Sequence, residues 1–217
     1  MADWVTISSL ATAGGTLVLA VATFSSVRSA NRSARVAERS LTAGVLPVLI
    51  PSREEDPPER LRFGDEQMLT VPGHGGSVVP GDDVIYMAIG LRNGGSGLAV
   101  MQGWHVQPRS EGPLEPPPLE QFRRQQLDLY IPAGDYGYWL GALRDPTEPG
   151  YADVRRAIEE KRQLHLDLMY SDYEGGQRTI ARFMFTRWAD EDVQGMRASV
   201  LRYWNVDRDD PRVAALP

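Results

Sequence analysis

A membrane-crossing helix followed by an antiparallel β-sandwich with one or two short helices is the architecture this sequence predicts. Three observations predict it. Residues 4–27, WVTISSLATAGGTLVLAVATFSSV, carry no charged side chain, and a bilayer core needs roughly 20 apolar helical residues. Arg28, Arg32, Arg35 and Arg39 follow at once. From residue 45 on, short stretches of apolar alternation are separated by Gly- and Pro-rich turns, without the regular strand–helix alternation of a doubly wound sheet. The chain therefore divides into an anchor with its helical extension over residues 1–44 and a mainly β domain over residues 45–217.

The hydroxyls within the first run, from Thr6 to Ser26, can bond back to the preceding turn and so are tolerated in lipid. A cleaved signal peptide is disfavoured: Met-Ala-Asp is not a basic leader, the apolar run is long, and the arginines come after it. By the positive-inside rule those arginines put the N-terminus outside and the large domain on the cytoplasmic face of a single-pass protein touching lipid through residues 4–27. Ala11, Gly15, Leu19 and Ala22 form a small-residue face on which a second helix could pack. A thin apolar stripe continues through Val27, Ala30, Ala34, Ala37 and Leu41, with Gly44 and Pro47 as stop signals. One helix from Val5 to Leu41 would be roughly 55 Å long.

In the second part, VLPVLI (45–50), VIYMAIGL (84–91) and LAVMQGWHV (98–106) read as strands. The turn NGGSG (93–97) between the last two predicts a hairpin. YIPAGDYGYWLGAL (130–143) reads as strand, turn, strand. LHLDLMY (164–170), DYEGG (172–176) and RTIARFMFTRW (178–188) predict another hairpin, and VLRYWNV (200–206) a last strand. YADVRRAIEEKR (151–162) predicts a helix, and a shorter one is expected near Asp190–Ala198. Residues 71–83 read as a mobile Gly-rich loop.

Asn93, Gly95, Gly97 and Ala99 fit an Asn-x-Gly-x-Gly-x-Ala pattern. With GLRNGGSGLAVMQGW (90–104), YIPAGDYGYW (130–139) and MYSDYEGGQRTIARF (169–183), the chain resembles single-pass actinobacterial membrane proteins of uncharacterised role that carry a small immunoglobulin-like domain. The resemblance implies an immunoglobulin-like sandwich. It carries over no activity and no catalytic residue.

Composition narrows the chemistry. The net charge is −6, of which residues 1–44 contribute +2, leaving −8 on the rest. Nucleic-acid binding draws on Lys and Arg to displace counterions, so such a domain is a poor fit for it. The absence of cysteine removes thiolate metal sites, disulfides and thiol nucleophiles. His74, His105 and His165 show no zinc-ligand spacing. Residues 71–83 lack a P-loop lysine, and Asp172 with Glu174 reads as turn chemistry rather than a calcium site. No metal or cofactor is expected. The expectation is a non-catalytic interaction or scaffold domain that binds a protein partner or itself, with Tyr136, Tyr138 and Trp139 as the candidate surface. Tyr136 and Tyr138 alternate onto one face of a strand and Trp139 onto the other, so one face must be core. The alternatives are an extracytoplasmic envelope-binding domain, or an enzyme in which Asp82, Asp83, Asp172 and a histidine converge.

Overall fold

The computed structural model of the protein describes residues 3–187 and 195–208, and within the N-terminal helix the side chains of residues 12–37. The chain forms two compact units, residues 1–44 and 45–217.

The first unit is one helix, α1 (Trp4–Gly44), which joins the apolar run and its extension. Thr16 and Thr23 donate to the carbonyls of Thr12 and Leu19, four residues back, at 2.8 Å. The anchor expectation is overturned: among the described residues no helix is long and apolar enough to cross a membrane. The run from Leu17 to Ala22 is apolar, but Thr12, Gly14, Gly15 and Thr16 precede it, and Thr23, Ser25, Ser26 and then Arg28 follow. With the span goes the topology read from Arg28, Arg32, Arg35 and Arg39, including the cytoplasmic placement of the domain and the lipid contact of residues 4–27. Of the small-residue face, the Ala11 side chain lies outside the described ones, and Gly15, Leu19 and Ala22 are exposed.

The second unit is mainly antiparallel β, as expected. Its strands are β1 (Leu49–Pro51), β2 (Glu59–Arg62), β3 (Met68–Val71), β4 (Gly75–Pro80), β5 (Ile85–Asn93), β6 (Ala99–Pro108), β7 (Arg123–Arg124), β8 (Tyr130–Ile131), β9 (Tyr136–Leu143), β10 (Leu164–Ser171), β11 (Thr179–Arg187) and β12 (Met196–Asn205). All but β2 and β3 belong to one curled sheet, ordered β1-β5-β4-β12-β11-β10-β6-β7, with β8 beside β6 and β9 beside β5. The curl brings Ile85, Met87, Ile89 and Leu91 of β5 into one buried cluster with Leu164, Leu166 and Leu168 of β10 and Phe183 and Phe185 of β11. Such facing layers fit a β-sandwich. At the turn of the curl β12 meets β4 over only Met196–Gly76 and Arg197–Gly75. A Cβ on Gly76 would stand 2.4 Å from the Phe185 ring and 2.7 Å from the Ala88 carbonyl, so only glycine fits there.

The β10–β11 hairpin pairs as predicted. The other predicted hairpin, through residues 93–97, does not form. β5 pairs with β1, β4 and β9, whereas β6 pairs with β10, β7 and β8, so residues 93–97 cross from one part of the sheet to another. The β8–β9 connection does the same. β4 occupies residues read as a mobile loop. β2 and β3 form a separate hairpin whose Leu69 and Val71, with Phe63, cover Ala88 on the outer side of β5.

Helix α2 (Tyr151–Glu159) matches its prediction and buries Tyr151, Val154 and Ala157, one stripe at helical spacing. Its Arg155 donates to the carbonyls of Gly81 and Asp82 at 2.7 and 2.9 Å, holding the β4–β5 turn. Of the second predicted helix, residues 190–194 lie outside the described residues, and Met196–Ala198 begin β12 instead.

Candidate functional site

The candidate aromatic surface splits as alternation demands. Trp139 is fully buried, meets Trp104 edge-to-face at 5.4 Å, and donates its indole N–H to Gln125 Oε1 at 3.1 Å. Gly141 makes room for that indole, because a Cβ there would lie 2.4 Å from the Trp139 ring. Tyr136 and Tyr138 stand on the outer face in a T-shaped pair at 6.1 Å, and Tyr136 is 55% exposed. Arg92 lies 5.5 Å over the Tyr136 ring and is held by Asp56 at 2.8 and 3.2 Å. That guanidinium lowers the Asp56 pKa below the ordinary carboxylate range. Trp139 is therefore core, and the strand presents the two tyrosines.

Beside β9 runs a groove of about 600 Å³. One wall is the outer side of β9, with Tyr138, Leu140 and Ala142. The other is the segment 123–129 with Trp104, and Arg62 at the end of β2 with Phe63 and Gly64 of the following turn close one end. Arg123 lies 5.3 Å over the Trp104 ring and is bonded to Glu148. Arg144 pairs with Asp65 at 2.5 Å, and Tyr86 donates to the same carboxylate at 2.7 Å. These two donors bring the Asp65 pKa down to about 2. Leu127 stands on the rim, 79% exposed. Arg123, Arg124 and Leu127 have no signature in the sequence, because nothing in FRRQQLDLY shows periodicity.

The other predicted candidates are dispersed. Neither the β9 groove nor a smaller one of about 380 Å³ between β3 and β4 is lined by Asp82, Asp83, Asp172 or a histidine. Among the described residues no group of three or more His, Asp or Glu is placed to hold a metal ion. Asp172 accepts from the Gly176 N–H at 3.0 Å and from Gln177 Nε2 at 3.2 Å, which is turn chemistry. His74, at φ +53°, donates its N–H to Ser52 Oγ at 3.1 Å.

A buried polar cluster on the outer face of β10 and β11 was not foreseen. Asp167 and Arg182, directly paired across the strands, are 0% and 2% exposed. They form a two-pronged ion pair at 2.7 and 3.0 Å, and the guanidinium lies 5.0 Å from the Trp204 ring centre. His105 Nδ1 is 3.6 Å from Asp167 Oδ2, too far for a hydrogen bond. His165 is buried with neither ring nitrogen bonded. Burial, then the Arg182 charge, lowers its pKa below the ordinary imidazole range.

No family model matches this chain, and no curated protein matches it.

Proposed function

We propose that the β-domain is a non-catalytic interaction module of immunoglobulin-like build whose binding face is the outer side of β9 and the groove beside it. The observation that carries this is a T-shaped tyrosine pair, Tyr136 exposed and Tyr138 half-buried, on a core-anchored strand next to a groove with the exposed Leu127 on its rim. Aromatic and arginine side chains are the residue types that dominate binding energy at protein interfaces. Exposed apolar side chains grouped beside a groove mark interaction sites in other proteins. The immunoglobulin-like build draws support from facing antiparallel layers joined by connections that cross between them at residues 93–97 and 132–135.

Site-specific photocrosslinking tests this reading. With a benzophenone side chain at position 136, the chain expressed in its native cells is expected to give one discrete crosslinked protein. The same probe at Glu174, exposed in the β10–β11 turn, is expected to give none. Equal, diffuse labelling from both positions would refute the binding face.

A further inference from the structure

We infer that the groove beside β9 takes an extended segment of a partner protein as an added strand, paired to the free edge of β9, with an acidic side chain of that segment at Arg124. This inference rests on the interaction-module reading above.

Hydrogen-bond parity defines the edge. The Ser52 N–H donates to the Gly90 carbonyl at 2.9 Å, so the backbone groups of Gly90 point towards β1. The Asn93 N–H donates the other way, to the Asp135 carbonyl at 3.0 Å. In an antiparallel pair, residues alternate between bonding their partner strand and pointing away from it. Gly90 lies opposite Tyr138, Arg92 opposite Tyr136, Ala88 opposite Leu140 and Tyr86 opposite Ala142. The N–H and C=O groups of Tyr138, Leu140 and Ala142 therefore point away from β5, as does the Tyr136 carbonyl, whereas the Tyr136 N–H is already taken by Asp135 Oδ1 at 2.8 Å. Among the described residues β9 pairs with no second strand. Across the groove the Gln125 N–H donates to the Gln102 carbonyl at 2.9 Å, so the backbone groups of Arg124 face away from β6 by the same parity.

This edge lacks the usual protection. Edge strands are ordinarily blunted by proline, charge, bulges or a covering segment. β9, YGYWLGAL, holds no proline and no charge, and its pairing with β5 runs without a shift from Ile85–Leu143 to Arg92–Tyr136. A row of donors and acceptors at two-residue spacing is complementary to another extended backbone, and the pockets beside it read alternate side chains. Charge then selects among extended segments. Glu148 holds Arg123 and Asp65 holds Arg144, while Arg124 is exposed and has no acidic partner among the described residues. An acidic side chain on the incoming strand would supply one.

The probe is a displayed library of random peptides, selected against the full chain. Enriched peptides are expected to combine alternating β-branched or aromatic residues with Asp or Glu. Leu140→Pro removes an N–H that no described group accepts, so the β5–β9 ladder keeps its bonds. Circular dichroism and a thermal melt check that this variant folds. It is expected to weaken the enriched peptides about tenfold, the scale of one lost backbone hydrogen bond with its local distortion. Arg124→Glu, at an exposed position, is expected to weaken them by a similar factor and to regain binding when the acidic residue of the peptide becomes arginine. Peptides that bind both variants undiminished overturn strand addition. An empty selection alongside a discrete crosslink from position 136 overturns strand addition alone, and an empty selection with no crosslink overturns the module as well.

Discussion

Asn93→Ala is expected to lower the stability of the β-domain by about 3–5 kcal/mol, the cost of several buried polar groups losing one partner at once. Asn93 is 1% exposed. Its side-chain NH2 donates to the carbonyls of Gly97 at 2.6 Å and Ile131 at 2.9 Å, and its Oδ1 accepts from the N–H groups of Val48 at 3.1 Å and Gly95 at 3.0 Å. One side chain thus ties together the strand entering the domain, the crossing after β5 and the end of β8. Aspartate offers no NH2 donor, so Asn93→Asp should fail nearly as badly at neutral pH. The glycines around it follow from the same close approach: a Cβ on Gly97 would sit 1.7 Å from the Val45 carbonyl oxygen, and one on Gly95 2.2 Å from that of Leu46. Urea denaturation followed by tryptophan fluorescence measures the loss. A change below about 1 kcal/mol would mean that water or a neighbour replaces the side chain.

Asp167→Ala is expected to cost about 3–5 kcal/mol, because it leaves the Arg182 guanidinium buried without a counter-charge. The Trp204 ring, 5.0 Å from the guanidinium carbon, offsets only part of that. The double variant Asp167→Leu with Arg182→Met removes both charges and keeps apolar volume. It is expected to recover most of the stability. Equal losses in the single and double variants would show that the pair holds the outer face by its hydrogen bonds rather than by charge balance.

These two networks mark the limit of what was legible in the sequence. Period-two alternation located β5, β6, β9, β10, β11 and β12 because each turns an apolar face to the core. It could not say which strands pair. The β10–β11 hairpin was readable since its turn is local, with Asp172 and Gly175 supplying the turn chemistry. Asn93 to Gly97 has the same turn composition, yet its side chain serves long-range partners, so the strands on either side of it part. β4 escaped notice because its glycines, needed where the curl turns, mask its alternation. The apolar run of α1 was readable as helix, but its Thr, Ser and Gly content left it short of a membrane span. At the site, alternation separated Tyr136 and Tyr138 from Trp139. The free edge could not be seen, since an edge is defined by the strand that is missing beside it.

Residue-resolved amide hydrogen exchange of the full chain tests that edge most directly. The account predicts alternation along β9: slow exchange at Gly137, Trp139 and Gly141, whose N–H groups bond to β5, and fast exchange at Tyr138, Leu140 and Ala142. Uniformly slow exchange from Gly137 to Ala142 would show the edge already covered and would contradict it.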